Sequence, residues 1–519
     1  MIIYMKKFKK ENLLAFLTIT MDAFLTVLSS VLLAKLLNSL VAMNLRKVMF
    51  WLGVLVFVWL LDSLTCIARD FLKERVLQLE LNTIRAAILQ PLTQMSYVEF
   101  NKNSTEDYNS WLNNDMTLLY DNGFQQIYFA YEAIVMMIFS GIAVILFHWI
   151  LLVTMILAAF ILFYLPKIFE AAISKSTMQV SERANQALAT STDYLKGFSI
   201  LYQNNRLDYF KQKIMTAFEQ LKNVKIKLTL VQAYMIYSLG FVGLIFQGVI
   251  LLVAAILIIH HQITVGVIFS VGNLAGIITN YSKSAANNII TLKATARLMD
   301  KYPKINSVST DRKLKFTDRL SVQHLSVKFA QQEISYPDFT IKKGKKYALI
   351  GESGSGKSTL IQLLLGNIQD YQGEISLDGE SFRQINPKLL PSIISNISQF
   401  PYLFHESVEE NLTLGRKISP TQFLSVLTST CATELVSDKG NITFDNNLSG
   451  GQQARISIAR ELLANKPILL MDESTANLDK TTALIVERNI LQNPNLTVIM
   501  ITHHLYDETC QYFDEIITL

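Results

Sequence analysis

A glycine-rich loop that leads into a lysine is the sequence feature with the clearest chemistry. An apolar strand pattern at residues 347–350 precedes it, and an apolar helical pattern follows at residues 360–365. Glycines let such a loop curl so that backbone N–H groups point at phosphate oxygens, and the start of the helix adds a favourable dipole. The lysine can reach the β- and γ-phosphates, and the following serine can ligate Mg²⁺. The pattern predicts a nucleotide-binding loop formed by Gly351, Glu352, Ser353, Gly354, Ser355, Gly356, Lys357, Ser358 and Thr359.

Two carboxylates at the end of a second apolar strand can complete a phosphate-cleaving site. Residues 468–471 read Ile-Leu-Leu-Met and lead into Asp472 and Glu473. Asp472 suits Mg²⁺, directly or through water, and Glu473 can polarise a water molecule for in-line attack on a γ-phosphate. A strand that ends in Asp-Glu is common by itself, so this hypothesis depends on the glycine-rich loop that comes before it.

A Ser-Gly-Gly loop before another helical pattern is a second candidate anion site. The helical pattern covers residues 454–463. The start of a helix presents free N–H groups and a partial positive charge to an anion. The same residues also fit an ordinary capped helix. This loop consists of Leu448, Ser449, Gly450, Gly451 and Gln452.

Taken together, the order and spacing of these motifs resemble the ATP-binding cassette (ABC) ATPases, across residues 301–519. The resemblance implies ATP and Mg²⁺ as ligands. It implies that Gln399 is the glutamine that senses Mg²⁺ and that His503 is the histidine that contacts the γ-phosphate. Glu473 and His503 are then the catalytic residues, and Mg²⁺ is held, partly through water, by Ser358, Gln399 and Asp472.

The resemblance also implies a dimer. In this family the glycine-rich loop of one subunit faces the Ser-Gly-Gly loop of another, and this chain carries one cassette. It resembles a half-transporter that pairs with a copy of itself or with a different half. A regulatory half without catalysis is the alternative, and the intact Glu473 and Ser-Gly-Gly loop count against it.

The cassette departs from the family pattern in several places. Gln331 stands where an aromatic residue that stacks on adenine is expected, so Phe329 or Tyr336 is a candidate for that role. The stretch before the Ser-Gly-Gly loop, residues 441–447, is short. The chain ends on a strand pattern at residues 513–519, where typical relatives continue further.

Composition indicates a membrane protein. The chain has 519 residues, of which 50% are hydrophobic and 17% charged, and soluble domains carry about 25% charged residues. Crossing a bilayer takes about 20 apolar residues. Six runs qualify, and we predict a six-helix transmembrane domain with long cytoplasmic extensions over residues 1–300, followed by an α/β P-loop NTPase domain over residues 301–519. The runs are 13–37, 48–68, 125–147, 150–170, 236–259 and 263–285.

Basic residues orient the spans. Lys6, Lys7, Lys9 and Lys10 precede the first run, and segments 69–124 and 171–235 are also basic, whereas the opposite side carries only Arg46 and Lys47. The positive-inside rule places the N-terminus and the cassette in the cytoplasm, and a bacterial cytoplasmic membrane fits best. The net charge of +5 is spread along the chain rather than clustered, which argues against nucleic-acid binding.

Fusion of six spans to one cassette resembles a type IV ABC exporter. Residues 100–105 with 111–115, and residues 196–200, resemble the two intracellular loops whose short helices dock on the cassettes. A peptide, lipid or drug-like substrate is compatible with the sequence. Candidate pathway residues are polar residues inside the spans, and hydrogen bonding between helices is the equally weighted alternative. They are Asp22, Asp62, Asn273, Asn280 and Asn287.

Overall fold

A computed structural model describes residues 1–296, 312–329, 332–352, 354–436, 448–502 and 506–519. The chain divides into two compact units, Met1–Pro91 with Thr105–Lys304, and Leu92–Ser104 with Ile305–Leu519. The predicted boundary at residues 300/301 lies outside the described residues.

The helices, in chain order, are α1 Ile2–Lys7, α2 Lys9–Val41, α3 Leu45–Leu92, α4 Tyr97–Phe100, α5 Thr105–Leu112, α6 Asn114–Leu119, α7 Gln125–Phe147, α8 Trp149–Tyr164, α9 Lys167–Lys196, α10 Phe198–Gln203, α11 Leu207–Ile259, α12 Val267–Ala296, α13 Lys357–Leu364, α14 Val408–Thr413, α15 Pro420–Ser429, α16 Gly450–Leu463, α17 Lys480–Leu491 and α18 Asp507–Cys510. A π-helical turn, Tyr120–Phe124, joins α6 to α7, and two 3₁₀ helices cover Pro387–Ser392 and Thr433–Leu435. The strands are β1 Arg319–Phe329, β2 Gln332–Ser335, β3 Phe339–Lys342, β4 Lys346–Ile350, β5 Gln372–Leu377, β6 Glu380–Ser381, β7 Ile394–Ile397, β8 Ile468–Asp472, β9 Thr497–Ile501 and β10 Glu515–Thr518.

Long apolar helices build the first unit. Among the described residues, five stretches are long and apolar enough to cross a membrane: Lys9–Val41, Leu45–Leu92, Asp107–Phe147, Trp149–Lys196 and Leu207–Ile259. They contain five of the six predicted spans. The sixth, residues 263–285, lies mostly in α12, which begins at Val267 and carries polar residues such as Asn273 and Asn280 along its length.

The breaks between these helices are short. His148 alone separates α7 from α8, and its Nδ1 accepts the N–H of Ile150 at 3.3 Å, which caps α8. Helix α11 ends at Ile259 with His260 as its C-cap, and His261 adopts a left-handed backbone with φ of 56°. Each break therefore reverses the chain between two consecutive helices with little intervening sequence.

Several helices continue well beyond their apolar runs, which confirms the predicted extensions. Helix α3 has 48 residues, and Leu77, Leu81, Ile84 and Ile88 on its extension are all buried. Short helices occur at both predicted intracellular loops: in the first, α4 ends at Phe100 and α5 covers Thr105–Leu112, and in the second, α10 begins at Phe198. Helix α4 belongs to the second compact unit, in which Glu99 Oε2 lies 3.9 Å from Lys388 Nζ.

The second unit contains two five-stranded sheets. One is parallel, with the order β10-β4-β9-β8-β7. Its central strands β4, β9 and β8 are largely apolar. Every residue of β9 is buried, which is typical of parallel strands that are covered on both faces. The other sheet is antiparallel, with the order β2-β1-β5-β6 and with β3 paired to β1.

Close packing of α11 on α12 depends on one glycine. A Cβ at Gly243 would lie 2.9 Å from Thr279 Cγ2 and 2.9 Å from Lys283 Nζ. A Cβ at Gly248, in the same helix, would meet no atom of the described chain within 4 Å. The two glycines therefore form a matched pair that differs in packing.

We expect Gly243→Leu to lower the free energy of unfolding by about 2 kcal/mol, because the larger side chain forces α11 and α12 apart. Gly248→Leu should stay within about 0.5 kcal/mol of the parent. The thermal unfolding midpoint of the full chain in lipid nanodiscs measures both. Equal shifts in the two variants would contradict the packing role of Gly243.

Candidate functional site

The parallel sheet brings the predicted site residues to one edge. Because β4, β9, β8 and β7 all run in the same direction, their carboxyl ends share the edge at which α/β sheets bind ligands. In the register, Leu349 pairs with Ile501 and Ile501 pairs with Asp472. The glycine-rich loop follows β4, Glu473 follows β8, and Gln399 comes two residues after β7. Strand order thus collects residues from three separate parts of the sequence.

The glycine-rich loop encloses the amine of Lys357. Nζ of Lys357 donates to the carbonyl oxygens of Gly351 at 2.7 Å and Glu352 at 2.8 Å, and only 6% of the residue is exposed. Ser355 Oγ is buried and has no hydrogen-bond partner among the described residues. Gly356 caps α13 in a left-handed conformation, with φ of 92°. An ammonium group, an unsatisfied hydroxyl and the start of a helix in one loop fit a bound phosphate chain.

A hydrogen bond joins the ends of β7 and β8. Nε2 of Gln399 donates to Oε2 of Glu473 at 2.9 Å. Glu473 has a left-handed backbone with φ of 47°, which costs a residue with a side chain about 1–2 kcal/mol. Its N–H donates to the carbonyl of Ile501, and its carbonyl accepts the N–H of Ala476, both at 3.1 Å. These bonds hold the predicted base in a single backbone conformation.

A buried carboxylate anchors the turn that follows Glu473. Glu487 of α17 is 3% exposed and accepts the hydroxyls of Thr475 at 2.7 Å and Thr509 at 3.2 Å. Burial raises the pKa of Glu487, and the two hydroxyl donors oppose that rise. No motif in the sequence indicates this residue. Its place on the helix could have indicated it, because Glu487 shares the buried face of α17 with Ala483 and Ile490.

The Ser-Gly-Gly loop forms the start of α16. Ser449 Oγ accepts the N–H of Gln452 at 3.3 Å, and Gln452 Oε1 accepts the N–H of Ser449 at 2.9 Å. This capping box uses the two side chains to define the first turn. Ser449 and Gly450 are exposed, and a Cβ at Gly450 would meet no described atom within 4 Å. The capped-helix interpretation is therefore correct, and the loop also presents an open surface.

Some predicted residues cannot be placed. Ser353 and His503 lie outside the described residues, as does the side chain of Phe329. Tyr336 is 5% exposed, and its hydroxyl donates to the carbonyl of Gly356 at 3.0 Å. A ring buried in this way offers no free face to an adenine, so the structure contradicts Tyr336 as the stacking residue.

The predicted membrane residues Asp22 and Asp62 belong to a polar cluster inside the first unit. Asp22 is 2% exposed, and its Oδ2 lies 2.6 Å from Arg69 Nη1. Cys66 Sγ donates to Asp22 Oδ1 at 3.1 Å. Asp62 Oδ1 is buried and makes no hydrogen bond to the described residues. Cys66 and Arg69 follow Asp62 by four and seven residues, so helical spacing alone could have indicated the cluster.

The asparagines of α12 have different surroundings. Asn273 and Asn280 are exposed in this chain. Asn273 Nδ2 donates to Ser30 Oγ at 2.9 Å, and the Ser270 hydroxyl donates to the Ser30 carbonyl. The side chain of Asn287 is outside the described residues. Asn273 therefore makes the inter-helix hydrogen bond that the alternative interpretation predicts, while its exposure leaves the pathway role open.

Two family models match the chain. Residues 13–282 match the model described as ABC transporter transmembrane region, and residues 334–476 match the model described as ABC transporter. The first match covers more than half of the chain, and the order of the two matches is the order of the two predicted domains.

Known proteins resemble the chain to different extents. A probable ABC transporter ATP-binding/permease protein from Haemophilus influenzae is 26% identical over 449 residues, covering 81% of this chain and 79% of that protein. An ATP-dependent lipid A-core flippase from Francisella tularensis subsp. holarctica is 33% identical over 247 residues, covering 45% of this chain and 40% of that protein. A mesentericin-Y105 transport/processing ATP-binding protein from Leuconostoc mesenteroides is 31% identical over 289 residues, covering 52% of this chain and 40% of that protein.

A solved structure matches nearly the whole chain. The structure of a bacterial Atm1-family ABC exporter with ATP bound has a TM-score of 0.77, covers 98% of this chain and 93% of that chain, and is 18% identical in sequence. This likeness, with the family models, confirms the predicted fold class: a helical transmembrane domain followed by an α/β nucleotide domain.

We expect Glu487→Gln to change how stability depends on pH. Since burial raises the folded-state pKa of Glu487 above its ordinary 4.5, the folded protein binds more protons than the unfolded one between 4.5 and the raised value. The parent therefore loses stability as the pH rises through that interval, and a glutamine does not. The unfolding midpoint of Glu487→Gln, relative to the parent, should increase as the pH rises from 4.5 through the raised pKa of Glu487. Glu515→Gln, which changes an exposed carboxylate of β10, is the control, and a flat difference for Glu487→Gln would contradict the argument.

We expect Asp22→Asn to destabilise the membrane unit by about 3 kcal/mol, because it leaves the Arg69 guanidinium without its closest partner. Asp62→Asn should cost less than half as much, since Asp62 Oδ1 makes no hydrogen bond within the described residues. Unfolding midpoints in nanodiscs compare the two variants. A larger loss for Asp62→Asn would overturn this account of the cluster.

Proposed function

Since the chain belongs to the ABC transporter family, we propose that it works as one half of an exporter whose two ATP sites form between two cassettes. The chain is a multi-pass membrane protein, and it hydrolyses ATP to drive transport.

The observation that carries the residue assignments is the hydrogen bond from Gln399 to Glu473 at the carboxyl edge of the parallel sheet. A carboxylate that accepts this bond is oriented by it, and can then take a proton from a water molecule that attacks the γ-phosphate. Lys357 and the N–H groups of residues 351–359 bind the phosphates. His503, which follows β9, contacts the γ-phosphate.

Magnesium fits the oxygen atoms at the same edge. Ser358 is exposed on the first turn of α13, and Asp472 ends β8. Hydroxyl, carboxylate and amide oxygens are ligands that Mg²⁺ prefers. Ser358, Asp472 and Gln399 would hold the ion, partly through water, and bound Mg²⁺ would neutralise charge on the phosphate oxygens.

The open Ser-Gly-Gly loop supports the dimer. Ser449 and Gly450 are exposed at the positive end of a 14-residue helix, so Leu448, Ser449, Gly450, Gly451 and Gln452 can contact a nucleotide held by a partner subunit. We propose a homodimer, because this chain carries the glycine-rich loop, the base and the Ser-Gly-Gly loop together. A pair with a different half is the competing outcome of the experiment below.

The substrate is proposed by class. One similar protein is a lipid A-core flippase and another a mesentericin transport/processing protein, so a lipid, a peptide or a drug-like compound is the proposed cargo. Asp22, Asp62, Asn273, Asn280 and Asn287 are the proposed pathway residues. The proposed location is the bacterial cytoplasmic membrane, with the N-terminus and the cassette in the cytoplasm.

The test is the Mg-ATPase activity of the purified chain in lipid nanodiscs. We expect turnover in the parent and a loss of at least about 100-fold in Glu473→Gln, which removes the general base. Glu515→Gln is the matched control, because Glu515 pairs with Tyr347 at the amino end of β4, away from the carboxyl edge.

Two results would count against the proposal. Retained turnover in Glu473→Gln would contradict the assignment of the base. A folded parent without any turnover would contradict the homodimer and favour a partner half, and the search would turn to that partner.

A further inference from the structure

Tyr336 lies against the glycine-rich loop rather than at the protein surface. It follows β2 directly, its N–H donates to the carbonyl of Leu325 at 2.8 Å, and it is 5% exposed. Its hydroxyl donates to the carbonyl of Gly356 at 3.0 Å. The Thr359 side chain hydrogen-bonds the same hydroxyl. The phenol thus contacts both Gly356, the residue before α13, and the first turn of that helix.

The loop and the segment containing Tyr336 are packed as closely as a glycine permits. A Cβ at Gly356 would lie 2.7 Å from Ile334 Cγ2 and 2.8 Å from Tyr336 Oη. Gly356 also has φ of +92°, which residues with a side chain rarely adopt. Ile334 and Tyr336 therefore pack so closely against Gly356 that a side chain at this position would not fit.

The carbonyl of Gly356 fixes the direction of a backbone N–H in the glycine-rich loop. It belongs to the same planar peptide unit as the N–H of Lys357, so a bond that fixes the oxygen also fixes that N–H. The same carbonyl accepts the N–H of Leu360 at 2.9 Å, the first hydrogen bond of α13. Burial raises the pKa of Tyr336 to about 12, so the phenol keeps its proton and remains a donor at neutral pH.

We propose that Tyr336 is a positioning residue of the nucleotide site: its hydroxyl fixes the Gly356–Lys357 peptide toward the phosphates, and its ring does not stack on the base. The inference rests on the proposed function, because it needs the loop to bind a nucleotide. The segment before β3 then contributes to phosphate binding, whereas the sequence suggested that it stacks on the adenine base.

The test compares two tyrosines that each lose one hydroxyl. Tyr336→Phe keeps the ring and removes the bond to Gly356. Tyr347→Phe is the matched control: Tyr347 is 3% exposed, lies in β4, and its hydroxyl accepts the N–H of Lys342 at 2.9 Å, so it does not touch the loop. The readouts on the full chain in nanodiscs are the dissociation constants of ATP, GTP and inorganic tripolyphosphate, the KM and kcat for ATP, and the unfolding midpoint.

We expect Tyr336→Phe to raise the dissociation constants of all three ligands by about fivefold, as the loss of one hydrogen bond does. The KM for ATP should rise with them and kcat should stay within about twofold, because phosphate binding is weakened equally in the ground and transition states. Tyr347→Phe should leave binding and KM unchanged, even where it lowers the unfolding midpoint.

Three results would overturn the inference while leaving the proposed function intact. The first is a Tyr336→Phe variant that binds all three ligands as the parent does. The second is weaker binding of ATP and GTP with unchanged binding of tripolyphosphate, which would indicate that the hydroxyl acts on nucleoside binding rather than on phosphate binding. The third is an equal rise in KM for both variants, which would indicate a general structural effect. Failure of the parent itself to bind ATP would instead overturn the proposed function.

Discussion

Parallel pairing of β4, β9, β8 and β7 turns residues that are far apart in the sequence into neighbours at one sheet edge. Gln399 and Glu473 are 74 residues apart and share a hydrogen bond of 2.9 Å. A parallel sheet cannot be closed by tight turns, so each strand must be reached by a long crossover connection. The residues at the carboxyl ends are therefore brought together by strand order, and a change in the order of any of these strands would separate them.

Around this edge, buried polar groups hold two left-handed backbone conformations, which are unfavourable at Glu473 but not at Gly356. Gly356 and Glu473 both have left-handed backbones. The hydroxyl of Tyr336 fixes Gly356 by donating to its carbonyl. Glu487 fixes the turn after Glu473 by accepting the hydroxyl of Thr475. A hydrogen bond contributes about 1 kcal/mol net, and the backbone cost at a residue with a side chain is of the same size. Such a balance keeps one conformation populated without making the cassette more stable overall.

The membrane unit uses polar contacts for a different purpose. Lipid tails are as apolar as leucine, so helices in a membrane associate through close packing and through hydrogen bonds between helices. Asn12 Nδ2 donates to Glu80 Oε1 at 2.9 Å, and Tyr128 donates to Asn12 Oδ1 at 2.5 Å. These contacts join α2, α3 and α7. The Asp22–Arg69 pair joins α2 and α3 again further along the same two helices.

The sequence by itself determined the two-part organisation, five long apolar helices and the glycine-rich loop, because hydrophobic period and motif spacing are local properties. It also placed Asp472, Glu473 and the Ser-Gly-Gly loop at the ends of the correct elements. Only the tertiary structure decided that Tyr336 is buried against the loop, that Glu487 holds the turn after Glu473, and that Arg69 pairs with Asp22. Each of these depends on contacts between elements that are separated in the chain, and hydrophobic pattern says which face of an element is buried but not which side chain it meets there.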